Sequence, residues 1–181
     1  PWVSVLSAAT LSAVLSLAEL ERATDALLAA RRVDIYGSGG GAIAALDLQY
    51  KLMRVGIRAV PHTDAETQIV SATLLTAADA AVAISHSGES ANVLHALKVA
   101  THAGATTIAL TNHPASSIAS AAQISLCTAA QESLAYGYPQ GARAAQVALI
   151  DVLHAFVASK RKDEIDTNYA RIGDALLTRQ G

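Results

Sequence analysis

Cysteine is almost absent from the chain, since Cys127 is the single one among 181 residues. An intrachain disulfide is therefore excluded, nothing in the cysteine usage argues for export, and we expect a cytoplasmic protein. Charge is scarce as well, because only 15% of the residues are charged and the net charge is −2. This balance lacks the basic footprint of a DNA- or RNA-binding chain. The hydrophobic content of 52% also excludes a disordered chain.

Long apolar runs and metal-binding patterns are also missing. No charge-free apolar stretch approaches the roughly 18 residues of a membrane span, and the N-terminal leucines lack the basic region of a signal peptide. The cysteine and histidines show no zinc spacing, and no carboxylate group suggests a metal site. The Gly-x-Ser-x-Gly motif of hydrolases is absent. We therefore expect neither a metal nor a cofactor.

Short apolar runs alternate instead with amphipathic segments. Strands are predicted at Val33–Tyr36, Ile57–Val60, Ala80–Ile84, Thr106–Leu110 and Gln123–Cys127. Pro61 is expected to end the second strand, and Asp64 to begin a helix that reaches about Thr76. Such alternation requires a parallel sheet with helices on both faces.

The prediction is one three-layer α/β/α domain with a doubly wound, five-stranded parallel sheet in the flavodoxin-like order. It comprises an N-terminal helical segment over 1–30, an α/β core over 31–159 and a C-terminal helical tail over 160–181. Residues 128–141 are expected to be irregular. The leucine-rich first segment and the stripe formed by Ile165, Tyr169, Ile172 and Leu176 predict a subunit interface.

The most informative stretch is the serine loop, defined as residues 85–90. It reads Ser85-His86-Ser87-Gly88-Glu89-Ser90 and lies between a buried strand and an amphipathic helix. The start of a helix presents free N–H groups and positive dipole charge, which suits an anion, and the hydroxyls add donors. One serine could serve only as a helix cap, but three around a glycine favour an oxyanion or phosphate site.

A glycine loop, defined as residues 37–41, follows the first strand and reads Gly-Ser-Gly-Gly-Gly. If the first and third strands are neighbours, the two loops face one crevice at the carboxyl edge of the sheet. The glycine loop also satisfies the dinucleotide fingerprint, which needs an acidic residue at the end of the second strand. That strand ends at Val60-Pro61-His62 with Asp64 only later, and a nucleotide site leaves the serines unexplained.

From about Leu20 to Phe156 the chain resembles the SIS (sugar isomerase) domain. The serine loop is similar to that family's Ser-x-Ser-Gly-Glu-Thr phosphate loop, with Ser90 in place of threonine. The likeness is greatest to the ligand domain of RpiR-type transcriptional regulators. The features behind it are His86 in the loop, Lys51-Leu52-Met53-Arg54-Val55-Gly56, Asp64 with Gln68, and Arg143-Ala144-Ala145-Gln146.

The resemblance implies a phosphosugar site built from both loops. Its ligand-binding residues would be Ser38, Gly39, Gly40, Gly41, Ser85, His86, Ser87, Gly88, Ser90 and Glu132. The serines would hold the phosphate, while His86 and Glu132 would contact the sugar. Gly41 stands where the family has a ligand-contacting serine, so the serine loop would supply most of the hydroxyl contacts, and the amides of 39–41 could cradle an anion.

The function expected from this resemblance is phosphosugar sensing without catalysis. A helix-turn-helix domain would precede this domain in the full-length regulator and carry its DNA binding. The resemblance also implies a homodimer or tetramer. The alternative is a stand-alone phosphosugar isomerase such as a 6-phospho-3-hexuloisomerase, with Glu132 as its base. A SIS-type domain that no longer binds ligand is a third reading, to which Gly41 gives weight.

Overall fold

One parallel sheet organises the computed structural model, which describes residues 15–129 and 140–178. Its strands are β1 (Val33–Gly37), β2 (Ala59–His62), β3 (Ala80–Ile84), β4 (Thr106–Thr111) and β5 (Ile124–Cys127). They lie in the order β2-β1-β3-β4-β5 with every pair parallel. The predicted flavodoxin-like order is confirmed.

Seven helices cover the sheet in the part of the chain that the structure describes. They are α1 (Leu17–Ala29), α2 (Gly40–Arg54), α3 (Ala65–Thr73), α4 (Ala91–His102), α5 (Ser117–Ala121), α6 (Gln140–Lys160) and α7 (Lys162–Leu177). Helices α1, α2 and α6 pack on one face, and α3, α4 and α5 on the other. Among the described helices, none has the length and apolarity to span a membrane.

The strands divide their side chains between two cores. In β3, Val82 and Ile84 join the core under α1, α2 and α6, whereas Ala81 and Ala83 join the core under α3 and α4. Successive residues of a strand point to opposite faces, so all five residues of β3 are buried. This two-sided burial explains why the sequence of β3 is an uninterrupted apolar run.

Pro61 does not end the second strand, contrary to the sequence prediction. It lies inside β2 and is paired with Ile35 of β1. β2 is an edge strand, so the missing N–H of a proline can face away from the sheet without losing a ladder bond. Helix α3 is also shorter than predicted: it ends at Thr73, with Leu74 as its C-cap, instead of reaching about Thr76.

The N-terminal helical segment was predicted to offer an interface stripe, but its described part is folded onto the domain. Leu20 and Leu27 of α1 are buried in the core shared with α6. Residues 1–14 lie outside the described residues. In the tail, Ile165 is also buried in that core, and Tyr169 packs against it. The interface prediction therefore does not apply to these side chains.

Candidate functional site

The serine and glycine loops lie side by side at the carboxyl edge of the sheet. Gly37, the last residue of β1, is paired with Ile84, the last residue of β3. A Cβ built on Gly41 would lie 2.6 Å from the carbonyl oxygen of Ile84, so the glycine loop touches the end of β3 directly. The two loops are therefore neighbours at this edge, as the strand order predicts.

The serine loop is closed by its own backbone and hydroxyls. The Gly88 N–H donates to the Ser85 carbonyl at 3.2 Å and to its Oγ at 3.1 Å. Ser87 Oγ is exposed and accepts from the Glu89 N–H at 3.2 Å. Ser85 is buried, so it shapes the turn, whereas Ser87 presents its hydroxyl at the surface.

Gly88 is required at its position for two reasons. Its φ is +68°, a conformation that side chains rarely adopt. A Cβ at Gly88 would also lie 2.0 Å from Ser116 Oγ and 2.9 Å from Thr111 Oγ1. The loop is thus pressed against β4 and the start of α5.

Ser90 occupies the N-cap position of α4 but makes no side-chain capping bond. The structure therefore does not support the interpretation that the Ser90 side chain serves only as a helix cap. The first N–H groups of a helix have no partner within the helix, so those at the start of α4 point out beside the Ser90 hydroxyl. Hydroxyl and amide donors converge here at the positive end of α4.

The glycine loop contributes less than its composition suggests. The Gly41 N–H donates to the Ser38 carbonyl at 3.0 Å, so this predicted anion-binding amide is already used in a turn. Gly39 has a φ of +56° and directly precedes α2, and Gly40 begins that helix. A Cβ at position 41 would lie 2.6 Å from the Ile84 carbonyl oxygen, so a serine does not fit this backbone without a shift.

Gln68 fixes the glycine loop from α3. Its buried amide nitrogen donates to the Gly37 carbonyl (3.3 Å), to Ser38 Oγ (3.2 Å) and to the His62 carbonyl (3.0 Å). Ser38 Oγ is thus held on the Gln68 side of the loop. Gln68 was noted in the sequence only as part of a resemblance, and its role as a support of the site was missed.

The segment after β4 supports the serine loop from the other side. The His86 carbonyl accepts from the Asn112 N–H at 3.0 Å and from Thr111 Oγ1 at 3.1 Å. The ring of His86 meets that of His113 edge-on, with the centroids 5.7 Å apart. The His86 side chain is half-buried and packs against His113, so its ring is held in place where we predict that it contacts a ligand.

Glu89 is the one acidic residue of the serine loop, and its carboxylate is engaged at α5. Its Oε1 accepts from the Ser117 N–H at 2.8 Å. Hydrogen bonds with Ser117 hold the pKa of the Glu89 carboxyl below its ordinary value. The starts of α2 and α4 meanwhile bring two positive helix ends to the loops, so the local field favours an anion.

Several other sequence hypotheses have outcomes at this edge. Asp64 caps α3 by accepting from the Glu66 and Thr67 N–H groups, so its carboxylate does not serve the dinucleotide reading. Glu132 lies outside the described residues. No group of three or more metal-binding side chains occurs among the residues with described structure.

His154 lies on α6 among apolar neighbours, a position that from sequence favours a hydrogen-bonded core histidine, but its environment is different. It is half-buried, and its Nε2 has no hydrogen-bond partner among the described residues. Burial lowers the pKa of His154, and the nearby cations Lys51 and Arg54 lower it further. His95 and His102 are exposed on α4.

The basic residues at the end of α2 have structural partners, as cations near the end of a helix commonly do. Lys51 pairs with Asp47 at 2.9 Å and with Asp151 of α6 at 2.5 Å. The guanidinium of Arg54 lies 4.5 Å from the ring centroid of Tyr169. Neither cation faces the two loops by these contacts.

A buried carboxylate in β1 was not foreseen from the sequence. Asp34 is fully buried and accepts from Nε and Nη2 of the Arg32 guanidinium, at 2.6 and 2.5 Å. Ser71 Oγ also donates to it, and His62 Nε2 lies 3.4 Å away. This cluster joins β1, β2 and α3 below the glycine loop.

Comparisons with known proteins agree with this architecture. A family model described as SIS domain matches residues 26–155. An HTH-type transcriptional regulator of Caldanaerobacter subterraneus is 35% identical over 93% of this chain and 60% of its own length. The HTH-type transcriptional regulator RpiR of Escherichia coli is 31% identical over 88% of this chain and 54% of its own length. The chain thus spans just over half of these relatives.

Solved structures show the same fold at lower identity. The Vibrio vulnificus NanR protein complexed with ManNAc-6P superposes with a TM-score of 0.86 at 23% identity, over 93% of this chain and 65% of that one. A Methanococcus jannaschii protein, for which 3-hexulose-6-phosphate isomerase function is inferred, superposes with a TM-score of 0.70. That likeness has 18% identity and covers 83% of this chain and 84% of the other.

Proposed function

The chain belongs to the SIS domain family, and from that premise we propose that it is the phosphosugar-binding effector domain of an RpiR-type transcriptional regulator. The relatives named as HTH-type regulators support the regulator part of this proposal. The NanR protein, which binds ManNAc-6P in its solved structure, supports the ligand class. The domain would comprise residues 1–181, with a DNA-binding helix-turn-helix domain elsewhere in the full-length protein.

One observation carries the proposal more than any other, namely the start of α4. Ser90 stands at the N-cap without capping the helix, and the exposed hydroxyl of Ser87 lies in the same loop. In our proposal these hydroxyls and the first N–H groups of α4 bind the phosphate. Ser85 keeps the turn in shape, and His86 and Glu132 contact the sugar.

The proposed domain senses its ligand and does not catalyse a reaction. Phosphosugar isomerisation needs a base at the carbon next to the carbonyl and usually a second acid–base group. The isomerase alternative is favoured by the fold shared with the Methanococcus jannaschii protein, and Glu132 would be its base. Incorporation of solvent deuterium into a bound phosphosugar would decide for the enzyme.

Ligand binding would act on DNA through the arrangement of subunits. We propose a cytoplasmic homodimer or tetramer in which the phosphosugar binds one arrangement more tightly and so shifts its population. An exposed apolar stripe on α2 supports self-association. Its members are Ile43, Leu46, Tyr50 and Met53. The stripe begins two residues after the glycine loop, so a second copy bound there would lie close to the ligand.

Calorimetric titration with phosphorylated sugars tests the proposal. We expect at least one to bind and its unphosphorylated parent to bind at least tenfold more weakly, because the contacts are made to the phosphate. Ser87→Ala should weaken phosphosugar binding about tenfold, since it removes a hydrogen bond to a charged group. Ser120→Ala, an exposed serine on α5, is the matched control and should bind as the wild type does. Equal affinity for sugar and phosphosugar would contradict the proposal.

A further inference from the structure

The first turn of α6 places a guanidinium beside the glycine loop. Nη2 of Arg143 lies 3.8 Å from the position that a Cβ on Gly40 would take, so the guanidinium lies next to the glycine loop. Arg143 is exposed, and α6 packs along α2. We infer that Arg143 and Gln146 of α6 form the charged part of the phosphosugar site, opposite the serine loop.

The charge of the ligand calls for such a residue. A phosphate ester carries between one and two negative charges near neutral pH, whereas the serine loop offers uncharged hydroxyls and amides. Two other cations are already paired with carboxylates: Lys51 with Asp47 and Asp151, and Arg32 with Asp34. Arg143 has no ion pair within the part of the chain that the structure describes. It therefore supplies the positive charge that the two loops lack.

Gln146 provides a second and independent indication of a ligand. It follows Arg143 by three residues, so both side chains lie on the same face of α6. Gln146 is only 4% exposed, yet its Nε2 has no hydrogen-bond partner among the residues described. Buried amides are nearly always hydrogen-bonded, because leaving one unsatisfied is costly. An oxygen of the bound phosphosugar would satisfy it.

This inference rests on the proposed function and makes it more specific. The site would be two-sided: the serine loop and the start of α4 hold the phosphate through hydroxyls and amides, and α6 closes over it with a cation. A guanidinium offers several donors in one plane and matches phosphate oxygens in pairs. Arg143 would accordingly select phosphorylated over unphosphorylated sugars.

Calorimetry on four variants tests the inference. The probes are N-acetylmannosamine 6-phosphate, fructose 6-phosphate and ribose 5-phosphate, each beside its unphosphorylated parent. Arg143→Gln should weaken phosphosugar binding about 10- to 100-fold, because a hydrogen-bonded charge is lost. The affinity for the unphosphorylated parent sugars should not change. Arg143→Lys should retain part of the affinity, since it keeps the charge but not the paired geometry.

Gln146→Leu separates a ligand contact from a structural role. Leucine removes a buried Nε2 that has no partner among the described residues, so the melting temperature of the free protein should be unchanged or higher. Phosphosugar affinity should nevertheless fall at least fivefold. Arg58→Gln is the matched control, because Arg58 is exposed just before β2, at the opposite edge of the sheet.

The outcomes separate this inference from the proposed function. If the wild type binds a phosphosugar but Arg143→Gln binds it within twofold of the wild type, the inference is wrong and the proposed function stands. If Gln146→Leu lowers the melting temperature and leaves affinity unchanged, Gln146 is a structural residue. If the wild type binds none of the probes at millimolar concentration, both the inference and the proposed function are contradicted.

Discussion

Gly88 combines a positive φ with close neighbours, and we predict that Gly88→Ala destabilises the domain by about 2–6 kcal/mol. Backbone strain and overpacking against Ser116 each contribute about 1–3 kcal/mol. Gly39→Ala separates the two effects, because Gly39 also has a positive φ but no atom within 4 Å of the added Cβ. Urea unfolding should show a clearly larger loss for Gly88→Ala, and equal losses would mean that crowding plays no part.

Asp34 makes the free energy of unfolding of the domain depend on pH in the acid range. Burial raises the pKa of its carboxyl, but Arg32, with His62 and Ser71, more than offsets this and holds the pKa below its ordinary value. A carboxyl of this kind stabilises the fold above its unfolded pKa of about 3.9, and the contribution is lost as the pH falls toward the folded pKa.

We therefore predict that Asp34's contribution to the free energy of unfolding is level from pH 7 to about pH 5 and falls below about pH 4. Asp34→Asn should be less stable than the wild type at pH 7, because the guanidinium of Arg32 loses its charged partner. Its acid-side loss should be smaller than that of the wild type. Unfolding measured by circular dichroism across this range checks the prediction, and identical slopes would contradict it.

Asp34 and Gln68 were missed as structural residues for a common reason. Asp34 bonds Ser71, 37 residues away, and Gln68 bonds Gly37, 31 residues away. A helix cap such as Asp64 is recognisable because its partners follow within three residues. Partners brought together only by strand order leave no local pattern in a single sequence.

The interaction of α3 with the glycine loop depends on Gln68, so Gln68→Leu tests how one helix positions the site. The change leaves the carbonyls of Gly37 and His62 without this donor and should cost about 1–3 kcal/mol of stability. Phosphosugar affinity should fall as well, because the loop is no longer held. Gln49→Leu on α2 is the control, since Gln49 donates only weakly, to Met53 Sδ at 3.8 Å. Equal stability of the two variants in urea would contradict the role of Gln68 in holding the glycine loop.

Strand boundaries were predictable where both faces of the sheet are covered. β3 matches its predicted bounds, because a strand buried on both sides leaves an uninterrupted apolar run. β2 was misplaced by two residues at each end, since an edge strand tolerates Pro61 and exposes Val60. The adjacency of the two loops followed from the strand order, whereas the use of the Gly41 amide in a turn could be read only from the structure.

The exposed apolar stripe on α2 predicts where two copies of the domain associate. Leu46→Glu should convert an oligomer to a monomer in sedimentation velocity, because a charge is buried without a partner in the proposed interface. Leu74→Glu is the control, since Leu74 is as exposed as Leu46 but lies after α3 on the other face of the sheet. A wild type that sediments as a monomer, or equal effects of both variants, would contradict the stripe as the interface.

In the proposed function, a phosphosugar binds at the serine loop beside the glycine loop. The most direct test is a titration of the ¹⁵N-labelled protein with N-acetylmannosamine 6-phosphate, followed by amide chemical shifts. The account predicts that the largest changes occur at Ser87, Ser90 and the first residues of α4, with smaller ones at Gly39 and Arg143. Changes confined to the groove lined by Val60 and Val70 beside β2 would contradict it, as would shifts caused equally by the unphosphorylated sugar.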